Sequence, residues 1–418
     1  MRIRSMVWLT ACLLAGSAAA QSQVAPTAET DGVRSAGSVS DVALWVSPGR
    51  ADQSLILLAD QFFGLSVMGL DGRERQFISG VVSGVDVQEG FRFGTVAVPL
   101  VALAVDPSLS LFTVANQSDG GTSLQFAGSG IAPGVSNVRS VRLYGSPGEG
   151  RVFAFVGNDL GAFQQLELTG LSDGGVAITP GRQLSVPGPA RAMAVDDAAG
   201  ALFIAQESGQ LWRFDPAPEA SDAGTPLDLD GGTLGTAVQG LGLYALGGGG
   251  GYLVAVDGTT GASNYTVLNR QSPHAVRGTF TVGEDGGIDG VESGRALALS
   301  ALPLADAGFP AGLLIAHDGA NSGGAQNAKL VSWSSVAQAF VPPLDTSAQD
   351  GGTPGDGGTV DGGTPGGGGG VPPPIPGSGG VPDDDDGPAC SCAASSVPGA
   401  ALLGLVAVLL RRRRRSAS

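Results

Sequence analysis

Between residues 38 and 342 the chain repeats one local pattern six times: two short apolar runs separated by Gly, Asp, Asn or Pro. The pairs fall at 55–58 and 65–70, 111–115 and 123–127, 152–156 and 162–168, 202–205 and 210–214, 252–256 and 265–268, and 313–316 and 330–333. Short runs of this kind between turn formers are strand signals, and helical periodicity is almost absent. A repeat of about 40–60 residues marks blades or a solenoid, because one unit cannot bury its apolar faces alone and must stack on the next. Four-stranded blades use about 40–50 residues each, so six fill the segment. The expected fold is therefore all-β, a six-bladed β-propeller over 38–342. A single sandwich is too small, and a parallel β-helix, with shorter repeats, is the alternative architecture.

The flanks read differently. In residues 1–20, Arg2 and Arg4 precede an apolar stretch at 6–14, and Ala18-Ala19-Ala20 forms a small-residue cleavage site. That order predicts a secretory signal peptide. A lipoprotein signal at Leu9-Thr10-Ala11-Cys12 and a buried N-terminal helix are the alternatives. Residues 345–389 are mostly Asp, Gly, Thr and Pro with a repeated Asp-Gly-Gly-Thr. Such a tract buries too little apolar area to offset its ordering entropy, so a disordered linker is expected. The aspartates at 383–386 read as a solvated spacer rather than a calcium site.

Residues 390–418 hold Cys390-Ser391-Cys392, an apolar run at 397–410 and arginines at 411–415. At about 1.5 Å per residue the run spans about 21 Å, short of a ~30 Å hydrocarbon core. A sorting signal is expected rather than a permanent span, with a simple tail anchor as the alternative. The three parts resemble the C-terminal tail of myxobacterial surface proteins. That resemblance implies a C-terminal sorting protease as partner, with lipidation or processing at Cys390 or Cys392. It also implies an exported protein shown at the cell surface in association with the outer membrane, touching the membrane only through the processed tail.

Composition excludes several classes. The net charge is −16, and Lys329 is the single lysine. Nucleic acid is not an expected partner, since phosphate-backbone binding needs clustered Lys and Arg. The three cysteines, Cys12, Cys390 and Cys392, all lie outside the repeats, so no disulfide framework holds the body. No defensible Ser-His-Asp set and no HExxH motif is present. The glycines at 247–251 lack the strand and helix of a phosphate loop. Asp228-x-Asp230-Gly231 lacks the Glu that closes a calcium loop.

Several hairpins carry more than a pattern. Asp41-Val42-Ala43-Leu44-Trp45-Val46 resembles the opening strand of β-propeller phytases, Asp-Pro-Ala-Ile-Trp-Val. Tyr244, Gly251-Tyr252-Leu253 and Asn269-Arg270-Gln271 follow the family's later blades. The stretch from Phe309-Pro310-Ala311-Gly312 to His317-Asp318-Gly319-Ala320-Asn321 is similar to its Phe-Pro-x-Gly…Gln-Asp-Gly-Glu-Asn. Asn327-Ala328-Lys329-Leu330-Val331-Ser332-Trp333 is similar to its Asn-Phe-Lys-Leu-Val-x-Trp.

The resemblance implies a monomeric 3-phytase-like propeller. In the family, calcium ions and basic side chains at the channel mouth bind phosphate and activate water for hydrolysis of phytate phosphomonoesters. A phosphorylated small molecule is the implied ligand. Asp41, Asp318 and Asn321 match calcium ligands. Elsewhere the match fails. Ser40, Ala320, Arg191 and Gln239 stand where the resemblance implies Asp or Glu, and Gln61 and Asp159 where it implies Lys. Arg139 stands for Tyr, and the acidic loop is reduced to Asp289-Gly290 and Glu292. His317 replaces Gln and either lines the channel or packs. Calcium is expected to be reduced or lost, and the protein to be a non-catalytic binding or scaffold module. An active calcium-dependent phosphatase is the alternative, and a different hydrolase using the same channel a third.

Overall fold

The structure is a computed structural model that describes residues 22–34, 38–117, 120–230 and 234–347, all within one compact unit. The predicted signal peptide, the linker beyond Ser347, and the sorting segment with Cys390 and Cys392 lie outside the described residues.

Six sheets follow one another along the chain. Blade 1 is Val39–Trp45, Leu55–Asp60, Gly64–Gly69 and Glu74–Ser79; blade 2 is Gly84–Phe93, Val96–Val105, Ser108–Asn116 and Thr122–Ile131. Blade 3 is Ser140–Gly145, Val152–Gly157, Ala162–Gly170 and Val176–Ser185; blade 4 is Ala190–Asp196, Ala201–Gln206, Leu211–Phe214 and Thr225–Pro226. Blade 5 is Val238–Ala245, Gly251–Asp257, Tyr265–Asn269 and Val276–Val282; blade 6 begins Leu297–Ser300, Leu313–Asp318 and Asn327–Ser332. The first strand of each blade touches that of the next, and blade 6 returns to blade 1, so these six strands line a central channel. This is the six-bladed propeller expected from the repeats.

Each predicted hairpin is a pair of adjacent antiparallel strands. In five blades it is the second and third strand. The second strands Leu55–Asp60, Val152–Gly157, Ala201–Gln206 and Leu313–Asp318 are buried at every residue. Blades stack face to face, so both sides of these strands are covered and the sequence reads as an unbroken apolar run. In blade 2 the predicted pair is the third and fourth strand instead. The last hairpin ends earlier than predicted, because Trp333 begins a short helix, Trp333–Gln338.

The apolar interior is six cores, one between each pair of neighbouring blades. Leu55 and Leu57 of blade 1 meet Val101 and Leu103 of blade 2. Ile56 and Leu58, on the opposite face of the same strand, meet Ile315 and Leu330 of blade 6. Between blades 5 and 6, Tyr244 stacks on Trp333 with centroids 4.1 Å apart.

The ring is closed by residues that precede 38. Ala28–Glu29 is the fourth strand of blade 6, with Glu29 opposite Lys329. Ser22–Val24 adds a parallel fifth strand to blade 5 through Val276–Val282. Thr30 Oγ1 accepts a hydrogen bond from the Ala328 N–H (3.1 Å), and Asn327 Nδ2 donates to Glu29 (2.9 Å). The boundary read from the repeats begins too late because these strands are two and three residues long and carry no apolar run.

Candidate functional site

Each blade's first strand starts at one end of the channel, called here the upper end, where the tips between second and third strands also lie. Asp41 sits near the start of the first strand of blade 1 and is buried. Its Oδ1 accepts from the Val42 N–H (3.0 Å) and Arg142 Nη2 (3.0 Å), and its Oδ2 from the Val85 N–H (3.0 Å) and Arg142 Nη1 (2.7 Å). Arg142 also donates to the carbonyls of Val85 and Met193, so one guanidinium ties blades 1 to 4 across the channel. Such bidentate pairing is geometrically selective and strong. Asp86 accepts from the Leu143 N–H (2.7 Å). Burial pushes its carboxyl up to about 6 against the pull of Arg142.

Asp318 and Asn321 meet around a different cation. Lys329 is fully buried, and its ammonium bonds Glu29 (2.5 Å), Asp289 and the Asn321 carbonyl oxygen (3.2 Å). Asp318 Oδ2 lies 3.3 Å from the same ammonium, without a hydrogen bond. Asp318 Oδ1 accepts from the N–H groups of Glu292 (3.0 Å) and Ala320 (3.2 Å). Burial raises Asp318. It works against the charge on Lys329 too, but the hydrogen bonds that Lys329 donates to Asp289 and Glu29 outweigh it and hold the ammonium above its usual range.

Neither cluster presents oxygens as a calcium ion needs them. Calcium takes six to eight oxygen ligands. Among the described residues no group of three or more His, Cys, Asp or Glu is arranged to hold a metal. Asp41 gives its oxygens to Arg142 and backbone N–H groups, and Asn321 gives its carbonyl to Lys329.

His317 packs rather than lining the channel. It is fully buried, its Nδ1 accepts from the Arg295 N–H (3.2 Å), and its Nε2–H therefore points to Gln326 Oε1 (3.0 Å). Burial lowers it to about 4.

The other positions singled out by sequence do share one face. Asp159 stands between two arginines, 2.9 Å from Arg191 Nη2 and 4.0 Å from Arg139 Nε. The Arg191 contact is an ion pair without an aligned N–H bond to Asp159 Oδ1. Arg191 Nη1 makes a long bond to Gln239 (3.4 Å), and Gln239 donates to Glu207 (3.3 Å). Arg139 reaches Ser83 at the start of blade 2 (3.5 Å), and Gln61 donates to Ser38. Arg139 and Arg191 thus stand close together at the mouth, with Asp159 between them and Glu207 reached through Gln239. Toward the other end the channel widens into a cavity of about 490 Å³ that Asp86, Glu89, Asp197, Leu243 and Leu299 help to line.

Sequence reasoning missed Arg142, Asp86 and, among the partners of Lys329, Glu29. Arg142 had a signal: it is the one charge in the strand Ser140–Gly145. Glu29 had none, since it is brought in from the far end of the repeat array.

Sequence comparisons point to one family. The Phytase family model matches residues 2–351. The 3-phytase of Bacillus subtilis (strain 168) is 27% identical over 324 residues, covering 74% of this chain and 83% of the relative. A chain from the crystal structure of BBS1N in complex with ARL6DN, soaked with lead, aligns with TM-score 0.40 and 10% identity over 70% of this chain and 79% of that one. With its six blades and a family match that runs through all of them, the chain belongs to the phytase family.

Proposed function

We propose that this chain is a cell-surface member of the phytase family that binds a phosphorylated small molecule at the upper mouth without calcium-dependent turnover. The observation that carries the reading is how the charged groups are used. Asp41 is engaged by Arg142, Asp318 and Asn321 face Lys329, and Arg139 and Arg191 flank the mouth. Guanidinium groups match the geometry and charge of phosphate and need no metal to do so. Hydrolysis in this family type would ask for several free carboxylates around calcium. Export through residues 1–20, cutting near Cys390 or Cys392 and display on the linker 345–389 belong to the same proposal.

The test is phosphate release from phytate at saturating calcium, beside calorimetric titration of inorganic phosphate in chelator. No release, together with binding that Arg191→Gln weakens at least tenfold, is expected. Release that chelator stops would establish instead the calcium-dependent phosphatase, the reading favoured by the 3-phytase relative.

A further inference from the structure

We infer that the ligand of the upper mouth has an apolar body as well as a phosphate, and is an amphiphilic phosphomonoester such as a monoalkyl phosphate. This rests on the reading that the mouth binds phosphate, and names the class of molecule.

Four large apolar side chains stand exposed at the same end of the channel as the arginines: Phe62 at 63%, Phe63 at 49%, Val81 at 49% and Leu160 at 74%. Phe62 and Phe63 form the tip between the second and third strands of blade 1, and Leu160 the same tip of blade 3. Fixed turns hold both tips. Asp60 Oδ1 accepts from the N–H groups of Phe62 (2.8 Å) and Phe63 (3.2 Å). Asn158 Oδ1 accepts from those of Leu160 (2.9 Å) and Ala162 (3.1 Å). Val81 is held beside the phenylalanines, because the Gly80 N–H bonds Phe63 O (3.1 Å) and the Val82 N–H bonds Asp60 O (3.2 Å).

The segments that carry the apolar side chains also reach the arginines. Two residues after Val81, Ser83 Oγ meets Arg139 (3.5 Å). Arg139 leads through Asp159 to Arg191, and Leu160 follows Asp159 directly. Exposed aromatic and aliphatic area is favourable only when something apolar covers it. An inositol ring carrying a phosphate on each carbon has no apolar face to offer. A phosphate head on the arginines with a hydrocarbon tail over Phe62, Phe63 and Val81 satisfies both halves of the surface.

The experiment is calorimetry of the folded chain with inorganic phosphate, butyl, hexyl and octyl phosphate, and octyl glucoside, each below its micelle-forming concentration. Affinity is expected to rise about two- to fourfold per added methylene until the patch is covered. Phe62→Ser combined with Phe63→Ser removes only exposed side chains. It should flatten that rise and leave inorganic phosphate binding unchanged. Equal affinity for butyl and octyl phosphate overturns the inference and leaves the phosphate reading standing. Octyl phosphate binding no tighter than octyl glucoside, or no binding by any phosphate, overturns the phosphate reading and the inference with it.

Discussion

A buried histidine that cannot take up a proton sets a pH limit on this fold. His317 accepts from one backbone N–H, donates to Gln326 and has no carboxylate partner among the contacts described, so its folded value lies near 4 against 6.5 for the free side chain. Above pH 6.5 it is neutral folded or unfolded and contributes nothing to the pH dependence. As pH falls from 6.5 to 4 the unfolded chain gains a proton that the folded chain refuses, and stability drops by up to about 3 kcal/mol. Asp86 acts in the opposite sense, because its raised folded value of about 6 costs stability as pH rises from about 4. A His317→Gln comparison isolates the histidine, since Gln can accept from Arg295 and donate to Gln326. In urea, the wild type should lose about 2–3 kcal/mol more than the variant between pH 7 and 4.5. Equal losses would mean the imidazole is not held neutral. Residue identity was legible here, but full burial was not: a lone histidine is more often packed or solvated than functional, and beside Asp318 the sequence also allowed a channel group.

At the scale of elements, legibility followed burial on both faces. Second strands announce themselves as apolar runs because blades cover them front and back, and five of the six hairpins came from that signal. Outer strands gave little, as in Glu74–Ser79, which is exposed or half-buried throughout. The N-terminal strap gave nothing, since Ser22–Val24 and Ala28–Glu29 are ordered by their pairing and not by their own residues. The candidate site divides likewise. The positions on one mouth were found by resemblance, whereas Asp41–Arg142 and Glu29–Lys329 join residues 101 and 300 positions apart. Deleting 22–34 should therefore do more than trim a terminus. It exposes the edge Asn327–Ser332, removes Glu29 from a buried ammonium and leaves Thr30's bonds unmade. Breaking one partner from a buried pair costs about 3–5 kcal/mol, less here because Glu29 is 37% exposed, and the lost ladder adds to it. Urea midpoints should fall by several kcal/mol equivalents; a midpoint within error of the wild type would show that the ring closes without the strap.

For the whole molecule, the described residues form six interblade cores, so no blade can leave without exposing two of them. That architecture predicts cooperative unfolding, and the chain supplies its own reporter. Lys329 is the single lysine, fully buried, and protonated among carboxylates of the strap, of the loop into blade 6 and of blade 6 itself. A charged, enclosed ammonium does not react with amine-directed acylating reagents. In the native protein such a reagent should modify the chain's N-terminal amine alone, and Lys329 only as the ring opens. The denaturant dependence of its labelling rate, read by mass spectrometry of the peptide that contains it, separates two routes. A steep dependence means that blades 5, 6 and 1 come apart together, because the rate then tracks the surface exposed in global unfolding. A flat dependence means that the strap alone peels away, releasing Glu29 while the six cores stay closed. With Glu29 on a two-residue strand and half-exposed, the flat regime is expected at low urea and the steep one near the midpoint. Deletion of 22–34 should abolish the flat regime by making it the resting state, with Lys329 labelled at once in native buffer. Labelling of Lys329 in the intact protein as fast as the N-terminal amine would contradict its enclosure.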